Sequence, residues 1–217
     1  MKVLELFSGT GSVGKVCKEK GYTVTSLDLN NADINTDILD WDYKEYEPDT
    51  FDIIWASPPC HTFSHCRRSW VGRKTKAFGD KVITHEMLDK EMIDKGLPVL
   101  RKTQEIIKYF NPTWWYIENP ATGKMKQFLM DLNHYDVDYC MYSDWGYKKR
   151  TRIWTNNMDF TPKLCNRACG NLMTVNGRLL HKNNLGNSHR NGLTKGSCGS
   201  TNTRYRIPPQ LIKDLIK

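Results

Sequence analysis

The chain has 217 residues, enough for one domain with a full hydrophobic core and a small appendage. Hydrophobic residues make up 39% and charged residues 26%, which is ordinary for a globular protein, and no apolar run is long enough to cross a bilayer. The net charge of +8 favours an anionic partner, most simply nucleic acid. Seven scattered cysteines and the lack of a signal peptide predict an intracellular protein, cytoplasmic or associated with DNA.

The N-terminal segment has the order strand, glycine-rich turn, helix. Residues 3–7 are mostly apolar, residues 8–12 hold the turn, and residues 13–21 have helical spacing and end on a glycine. Glycines let the backbone pass close to a ligand, and a helix N-terminus points N–H donors at it. The glycine spacing alone is a weak match to a dinucleotide fingerprint. We therefore predict the start of a βαβ unit with a ligand at the turn.

Two aspartates follow at positions suited to ligand binding. Residues 22–28 read as a second strand that ends on Asp28, where a carboxylate is placed to accept hydrogen bonds from ribose hydroxyls. Asp37 comes next and is placed to accept from an adenine amino group. For both residues the alternative is a structural aspartate in a turn or at a helix N-terminus.

The most informative stretch begins with the apolar run 51–56, which reads as a buried parallel strand. Pro58 and Pro59 end that strand because proline cannot donate to a ladder. Cys60 follows at the carboxyl end of the strand, where open α/β sheets bind their ligands. A rigid turn that presents a thiol there suits covalent catalysis. The alternative is that Cys60 is one more buried cysteine.

The next segment, residues 61–76, is basic and carries aromatic residues, which suits contacts with phosphates and a displaced base. We predict nucleic-acid contacts from Ser64, Arg67 and Arg68, and the alternative is a solvated loop. Residues 86–110 have a helical pattern that Pro98 breaks or kinks.

A second acid follows the bulky run 114–117, which reads as a buried strand. Glu118 ends that run, so it lies at the same edge of the sheet as Cys60. A carboxyl group in that position is a candidate proton donor.

The C-terminal third is less regular. Residues 135–142 alternate like a strand, and the basic run 147–152 leads into a last strand at 153–156. Residues 161–203 are rich in Asn, Gly, Lys and Arg, and they favour a loose segment that contacts nucleic acid. Zinc binding there stays open, but the spacings match no strong zinc pattern and we assign no metal site; the residues concerned are Cys165, Cys169, His181, His189 and Cys198. Residues 208–216 form a short amphipathic helix.

Taken together, the landmarks resemble those of the DNA (cytosine-5) methyltransferases. The matching segments, in chain order, are Phe7-Ser8-Gly9-Thr10-Gly11-Ser12, Asp28, Asp37-Ile38, Pro59-Cys60-His61-Thr62-Phe63-Ser64, Glu118-Asn119-Pro120 and Lys148-Lys149-Arg150-Thr151-Arg152. Three positions depart from the family pattern: His61 and Lys148 replace glutamines, and Pro120 replaces a valine. The resemblance covers residues 1–156 well and the tail, residues 204–211, loosely.

The resemblance implies a Rossmann-like, S-adenosylmethionine-dependent methyltransferase fold, an α/β fold with a mixed, mostly parallel sheet flanked by helices. Residues 1–160 would form the catalytic domain. Residues 161–203 would be a short basic insert where the family has a large target-recognition domain, and residues 204–217 would form a C-terminal helix that packs back on the catalytic domain.

The resemblance also implies a role for each landmark. Cys60 would add to carbon 6 of a cytosine flipped out of DNA, and Glu118 would hydrogen-bond or protonate ring nitrogen 3. Arg150 and Arg152 would hold the base carbonyl and a phosphate and help to keep Cys60 ionised, and Lys148 would contact nucleic acid. S-adenosylmethionine, the methyl donor, would be held by Phe7, Ser8, Gly9, Thr10, Gly11, Ser12, Asp28, Leu29, Asp37, Ile38 and Pro59.

Several alternatives stay open at this stage. His61 and Lys148 leave room for a catalytically impaired nucleic-acid-binding protein, and the motifs do not distinguish an RNA cytosine methyltransferase from one that acts on DNA. Ser57-Pro58-Pro59 opens like the motif of amino-group methyltransferases, but Cys60 stands where those enzymes stack an aromatic residue on the base. A small insert also leaves room for a separate specificity partner, and the sequence indicates neither the target sequence nor the oligomeric state.

Overall fold

The computed structural model describes residues 1–183 and 201–216, except the side chains of residues 201 and 202. His189 and Cys198, two of the possible zinc ligands, therefore lie outside the described residues. No helix in the described part of the chain is long and apolar enough to cross a membrane.

The centre of the molecule is a seven-stranded sheet with strand order β3-β2-β1-β4-β5-β7-β6. Strands β1 to β5 are parallel, and β7 runs antiparallel to both of its neighbours. The predicted mixed, mostly parallel sheet is confirmed. The seven strands are β1 (Lys2–Leu6), β2 (Thr23–Asp28), β3 (Ile34–Asn35), β4 (Ile53–Ala56), β5 (Trp114–Pro120), β6 (His134–Asp138) and β7 (Arg150–Thr155).

Hydrophobic cores cover both faces of the sheet, which explains why its central strands are continuous apolar runs. Leu4 and Ile54 point to one face, while Val3 and Ile53 point to the other, and all four are fully buried. Parallel strands buried on both sides have this composition because neither face meets water.

The described residues form five α-helices: α1 (Ser12–Glu19), α2 (His85–Glu91), α3 (Leu97–Phe110), α4 (Thr201–Tyr205) and α5 (Pro209–Leu215). A π-helical turn, Met92–Gly96, joins α2 to α3. The predicted break in the 86–110 helix therefore lies just before Pro98, which occupies the first turn of α3. Proline is tolerated there because the first N–H groups of a helix have no intrahelical partner.

Two details differ from the sequence-based expectation. The strand predicted over residues 135–142 ends at Asp138, and Tyr139–Met141 form a 3-10 turn. Residues 137–140 are buried in succession, which is incompatible with the alternation of a strand that has one solvated face. Residues 161–183, expected to be loose, contain an antiparallel hairpin of β8 (Leu172–Val175) and β9 (Arg178–His181).

Helix α5 packs against α1 and the sheet. Its buried side chains Leu211, Ile212 and Leu215 belong to the same core cluster as Val13 and Val16 of α1. The carbonyl oxygen of Leu215 accepts hydrogen bonds from the Tyr116 hydroxyl at 2.9 Å and the Asn157 side-chain amide at 3.1 Å. These contacts hold the end of the chain against β5.

Candidate active site

A cavity of about 570 Å³ opens at the carboxyl ends of β1, β2, β4 and β5. This volume is within the range of about 300–1,000 Å³ typical of cofactor and substrate sites. It lies where the strand order reverses, since β1 is flanked by β2 on one side and β4 on the other. Ligands of open α/β sheets bind at such switch points.

One wall of the cavity is the turn between β1 and α1. Gly9 and Gly11 have left-handed backbones, with φ of 49° and 64°, which a residue with a side chain rarely adopts. The backbone N–H of Gly9 donates to Asp28 Oδ2 at 2.9 Å, so the turn is tied to the end of β2. The turn therefore brings backbone close to the space that a ligand would fill.

The same wall carries the two predicted acceptors. Asp28 and Asp37 both line the cavity, and each also accepts one backbone N–H near its own position, from Leu29 at 2.7 Å and Leu39 at 2.9 Å. A carboxylate has about four acceptor sites, so both residues can accept further hydrogen bonds from a ligand. All residues predicted to hold the cofactor line the cavity except Gly11, which is the N-cap of α1.

This donor and acceptor set fits S-adenosylmethionine. Asp28 and Asp37 are suited to the ribose hydroxyls and the adenine amino group. The glycine turn lets a ligand lie close to the backbone. Apolar surface for a purine comes from Phe7, Leu29 and Ile38. The cavity therefore offers acceptors and apolar surface that are compatible with the adenosine part of this cofactor.

Glu5 lies under the turn and was missed as a site residue. Its buried carboxylate accepts N–H donors from Val13 at 3.1 Å and Gly14 at 2.9 Å, and it lines the cavity. Burial raises the pKa of Glu5 to about 7 against the lowering effect of those two hydrogen bonds. A side chain at position 14 would begin 2.6 Å from the Glu5 oxygen, which explains the glycine. The sequence signal for Glu5 was an acidic residue inside the otherwise apolar run 3–7.

The loop that carries Cys60 is held from three sides. The buried Asn119 side chain donates to the carbonyl oxygen of Pro58 at 2.8 Å. Phe63 is 1% exposed and its carbonyl accepts the N–H of Lys124 at 2.8 Å. Ser57 Oγ accepts the indole N–H of Trp55 at 3.1 Å. These contacts leave Cys60 half-buried at the cavity wall.

The surroundings of Cys60 oppose its ionisation. Burial and, to a smaller extent, the Glu118 carboxylate raise the pKa of the Cys60 thiol, while the Lys149 ammonium lowers it. Lys149 is thus a cation that favours ionisation of Cys60, and the expected help from Arg150 and Arg152 stays a prediction. His61, in the place of the family's glutamine, also lines the cavity, and burial lowers its pKa with Arg67 adding to the effect.

Glu118 lies inside the cavity wall with two polar neighbours. The Tyr139 hydroxyl donates to Glu118 Oε1 at 3.1 Å, and Lys149 Nζ lies 3.6 Å from the same oxygen. Lys149 Nζ also lies 4.7 Å from the centroid of the Tyr139 ring and donates to the carbonyl of Arg204 at 3.3 Å. Lys149 was missed because it occupies the variable second position of the basic motif.

The register of β6 and β7 decides where the two motif arginines lie. Arg150 is directly opposite Asp138 and Arg152 directly opposite Asp136. Both pairs are bidentate, with N···O distances of 2.8–3.0 Å for Arg150 and 2.7–3.0 Å for Arg152. Arg150 lines the cavity, whereas Arg152 is outside the cavity lining. The structure thus brings Arg150, but not Arg152, to the same cavity as Cys60.

The residues predicted to contact nucleic acid have different surroundings. Arg67 is 7% exposed, pairs with Glu91 and lies over the Trp70 ring, so its guanidinium faces the protein. Arg68 is exposed, and Ser64 caps the 3-10 helix His65–Trp70. Lys148 lines the cavity with its ammonium 3.3 Å from Asp138. Arg68 and Lys148 are therefore the cations of this set that solvent can reach.

The far wall of the cavity comes from the end of the chain. Arg204, Tyr205 and Ile207 line it, and the N–H of Ile207 donates to Ser12 Oγ at 3.2 Å. The neighbouring Arg206 stacks on the Trp145 ring, with its guanidinium carbon 3.6 Å from the centroid. The tail thus completes the cavity beside the glycine turn, and sequence analysis assigned it no site residue.

A seven-stranded sheet with one antiparallel strand and a cofactor cavity at the switch point define an S-adenosylmethionine-dependent methyltransferase of Rossmann-like fold. No family model matches the chain. A relative from Frog virus 3 (isolate Goorha), described as a probable DNA (cytosine-5)-methyltransferase, is 42% identical over 224 residues, which cover 100% of this chain and 99% of the relative. The chain belongs to the DNA (cytosine-5)-methyltransferase family, whose methyl donor is S-adenosylmethionine.

Solved structures show a weaker likeness. A protein assigned as a DNA modification methyltransferase, encoded within an E. coli prophage, is 14% identical with a TM-score of 0.47 and 76% of this chain covered. The DNMT2 protein of Spodoptera frugiperda is 17% identical with a TM-score of 0.44 and 75% covered. The matched region spans about half of those proteins, 51% and 52% respectively.

Proposed function

We propose that this protein methylates carbon 5 of cytosine in DNA through a covalent adduct between the base and Cys60. The observation that carries the proposal is that Cys60, Glu118 and the Asp28–Asp37 wall line one cavity. A nucleophile, a proton donor and the cofactor's contacts are the three parts that this chemistry needs in one place.

In the first step, the Cys60 thiolate adds to carbon 6 of the base. A sulfur–carbon bond forms, the ring loses its aromaticity, and the displaced electron pair leaves carbon 5 nucleophilic. Glu118 favours the addition by hydrogen-bonding or protonating ring nitrogen 3, which draws electrons into the ring. The Tyr139 hydroxyl and Lys149 hold the Glu118 carboxylate toward the cavity.

Asp28, Asp37 and the glycine turn would hold S-adenosylmethionine, with Pro59 against its edge. When bound, the cofactor supplies the methyl group that carbon 5 receives. Carbon 5 then loses its proton to solvent, and the electron pair of that bond re-forms the ring double bond and expels Cys60 as a thiolate. Glu118 takes back any proton that it gave to ring nitrogen 3, and the enzyme is regenerated.

A cytosine inside a duplex cannot reach this cavity, so the base must be flipped out. Arg150 and Lys148 line the cavity and would hold the base carbonyl and a neighbouring phosphate, and Arg68 would contact the backbone. For Arg152 we retain the predicted role at a phosphate, although its guanidinium is engaged by Asp136. Arg67 and Ser64 would act indirectly, by holding the conformation of the loop that follows Cys60.

We also propose the division into a catalytic part, residues 1–160, a short basic insert, residues 161–203, and a C-terminal segment, residues 204–217. The described part of the insert is one small hairpin rather than a large recognition domain. Base contacts from so small a module discriminate few positions, so we expect a short target sequence or a separate partner that supplies specificity.

The experiment is transfer of a labelled methyl group from S-adenosylmethionine to duplex DNA, with the product base identified by mass spectrometry. We expect 5-methylcytosine with wild type and none with Cys60→Ser. Cys66→Ser is the matched control, since Cys66 is an exposed cysteine in the same loop, and it should retain activity.

A second arm tests the adduct directly. In the presence of S-adenosylmethionine, duplex DNA that contains 5-fluorocytosine should form a denaturation-resistant complex with wild type, because fluorine at carbon 5 blocks the elimination that follows methyl transfer. The complex should be absent with Cys60→Ser. Full methylation by that variant would sink the covalent mechanism. Transfer to RNA alone, or DNA binding without any transfer, would replace the DNA-methylation proposal by the RNA or the impaired-binder alternative.

A further inference from the structure

A cluster of three cysteines and one histidine lies away from the cavity. Cys140 is in the 3-10 turn after β6, Cys165 and Cys169 are in the loop before β8, and His181 ends β9. Their ligand atoms all lie within 4.8 Å of one another. The Nε2 atom of His181 is 3.6 Å from Cys165 Sγ and 3.4 Å from Cys169 Sγ. Three chain segments, with ligands between 12 and 41 residues apart, thus converge on one point.

The two sulfur–nitrogen distances are those of a tetrahedral metal site. Zinc bonds of about 2.3 Å to sulfur and about 2.0–2.1 Å to nitrogen, at tetrahedral angles, place sulfur and nitrogen about 3.6 Å apart. The two sulfur–nitrogen distances given above agree with that value. All three cysteines are free thiols in the structure, so the cluster is not explained by a disulfide.

The chemistry of the set favours zinc over magnesium and calcium. Three thiolates and one imidazole are soft and borderline ligands, which suit zinc and exclude magnesium and calcium, whose ligands are oxygens. Four protein ligands leave no open position, so such a site is structural rather than catalytic.

The hairpin that carries these residues has no hydrophobic core of its own. Among residues 166–183, all of them described, no apolar side chain is fully buried, and Leu179 is 40% exposed. An isolated two-stranded hairpin is marginally stable in water, and small modules with little apolar burial are usually held by a metal or disulfides. Apolar burial within residues 166–183 therefore contributes little to the stability of this segment.

Hydrogen bonds fix the backbone that carries three of the four cluster residues. The buried Asn171 side-chain amide donates to the carbonyl of Cys140 at 3.0 Å and to that of Cys169 at 3.4 Å. The N–H of Cys165 donates to Asp138 Oδ2 at 2.8 Å. Hydrogen bonds of this kind, one step outside the ligands, are what orient the ligands of metal sites.

We propose that Cys140, Cys165, Cys169 and His181 bind one structural zinc ion, which fixes the hairpin β8–β9 to the end of β6. Asp138 links this site to the active-site cavity. Its carboxylate accepts hydrogen bonds from the Cys165 N–H and from the guanidinium of Arg150, which lines the cavity. The ion thus holds the small module in the place that the family uses for target recognition.

The first test is the metal content of the full-length protein, purified without added metal and dialysed against metal-free buffer, by mass spectrometry of the elements. We expect one zinc per chain in wild type and less than a tenth of that in Cys169→Ala and His181→Ala. Cys66→Ser, which removes an exposed cysteine outside the cluster, should keep the full zinc content.

A second measurement does not depend on whether the variants fold. In wild type, Cys140, Cys165 and Cys169 should be protected from alkylation until a chelator releases the zinc, and then react together. Cobalt(II) added to the metal-free protein should give the thiolate charge-transfer and intense d–d bands of a tetrahedral sulfur-ligated site. Wild-type protein without zinc, with these thiols freely reactive or joined in a disulfide, would overturn the proposal. Neither readout needs methyl transfer, so failure of the proposed methylation would leave this result intact.

Discussion

The Lys149 ammonium lies 3.6 Å from the Glu118 carboxylate, against the Tyr139 ring and within the wall that also carries Cys60. A mostly buried cation near two groups with proposed catalytic roles affects both of them. Lys149 orients the proposed proton donor, and it opposes the rise in the Cys60 pKa that burial causes.

We therefore expect Lys149→Met to move the acid limb of the methylation pH profile to higher pH. Without the ammonium, the pKa of Cys60 rises further, and each unit of rise lowers the thiolate fraction below the pKa about tenfold. Lys149→Arg keeps the charge and should keep the profile closer to that of wild type. The measurement is kcat/KM against pH for the three proteins. Identical profiles for the Met and Arg variants would show that the charge does not act on Cys60.

Glu5 predicts a pH dependence of stability. Its pKa is about 7 in the folded protein against an ordinary value of 4.5, so the folded state binds the proton more tightly than the unfolded state. This contribution to stability is fully present below pH 4.5 and is lost as the pH rises to 7. At 1.36 kcal/mol per unit, the loss is about 3 kcal/mol. Urea unfolding at several pH values, without cofactor, measures it.

The comparison for Glu5 is Glu5→Gln, which has no titrating group but keeps the shape. One of the two N–H donors loses its acceptor, so we expect a constant destabilisation with a flatter pH dependence between pH 4.5 and 7. A variant whose stability falls with pH as steeply as that of wild type would assign the effect to other groups.

Asn119 holds the Cys60 loop by a single buried hydrogen bond to the Pro58 carbonyl. Asn119→Ala leaves that carbonyl unsatisfied, and we expect a loss of about 1–3 kcal/mol in the free energy of unfolding. We also expect kcat to fall more than the affinity for DNA, because the nucleophile is no longer held in place. Denaturant unfolding and steady-state kinetics measure the two effects.

Asn156 offers the matched control at the opposite end of β5. Its side chain accepts the N–H of Trp115 at 2.9 Å and donates to the carbonyl of Thr113 at 2.9 Å, away from the cavity. Asn156→Ala should lower stability with little change in kcat. Equal losses of kcat in both variants would mean that Asn119 acts through general stability alone.

Gly96 ends the π-helical turn and packs on the Cys60 loop. A Cβ there would lie 2.3 Å from Thr62 Oγ1 and 3.1 Å from the Phe63 ring. We expect Gly96→Ala to destabilise the protein by about 1–3 kcal/mol through overpacking, although alanine is favoured over glycine in helices by about 1 kcal/mol.

The Gly96 prediction has an internal check. Thr62→Ala removes the crowding hydroxyl, a buried group with no hydrogen-bond partner among the described residues. The double variant should therefore recover part of the stability lost in Gly96→Ala, as measured by a double-mutant cycle. Additive losses would place the strain elsewhere than at this contact.

Local patterns were enough to predict most of the cavity. The apolar runs at 51–56 and 114–117 read as buried strands, and parallel strands present their carboxyl ends at one edge of a sheet. That rule alone brings Cys60 and Glu118 to the same place, and it places Asp28 beside the glycine turn. These features depend on neighbours in sequence and on one general property of parallel sheets.

The tertiary structure decided what depends on pairing between distant segments. The antiparallel register of β6 and β7 sets Arg150 and Arg152 opposite aspartates, and Lys149, just before β7, lies beside Glu118. The connection 139–149 is too long for turn geometry to fix that register. Likewise, Cys140 is hidden in a segment that reads as a strand, and only the docking of the hairpin brings it to Cys165, Cys169 and His181. Sequence spacing therefore indicated no metal site, because the ligand set is assembled by the fold.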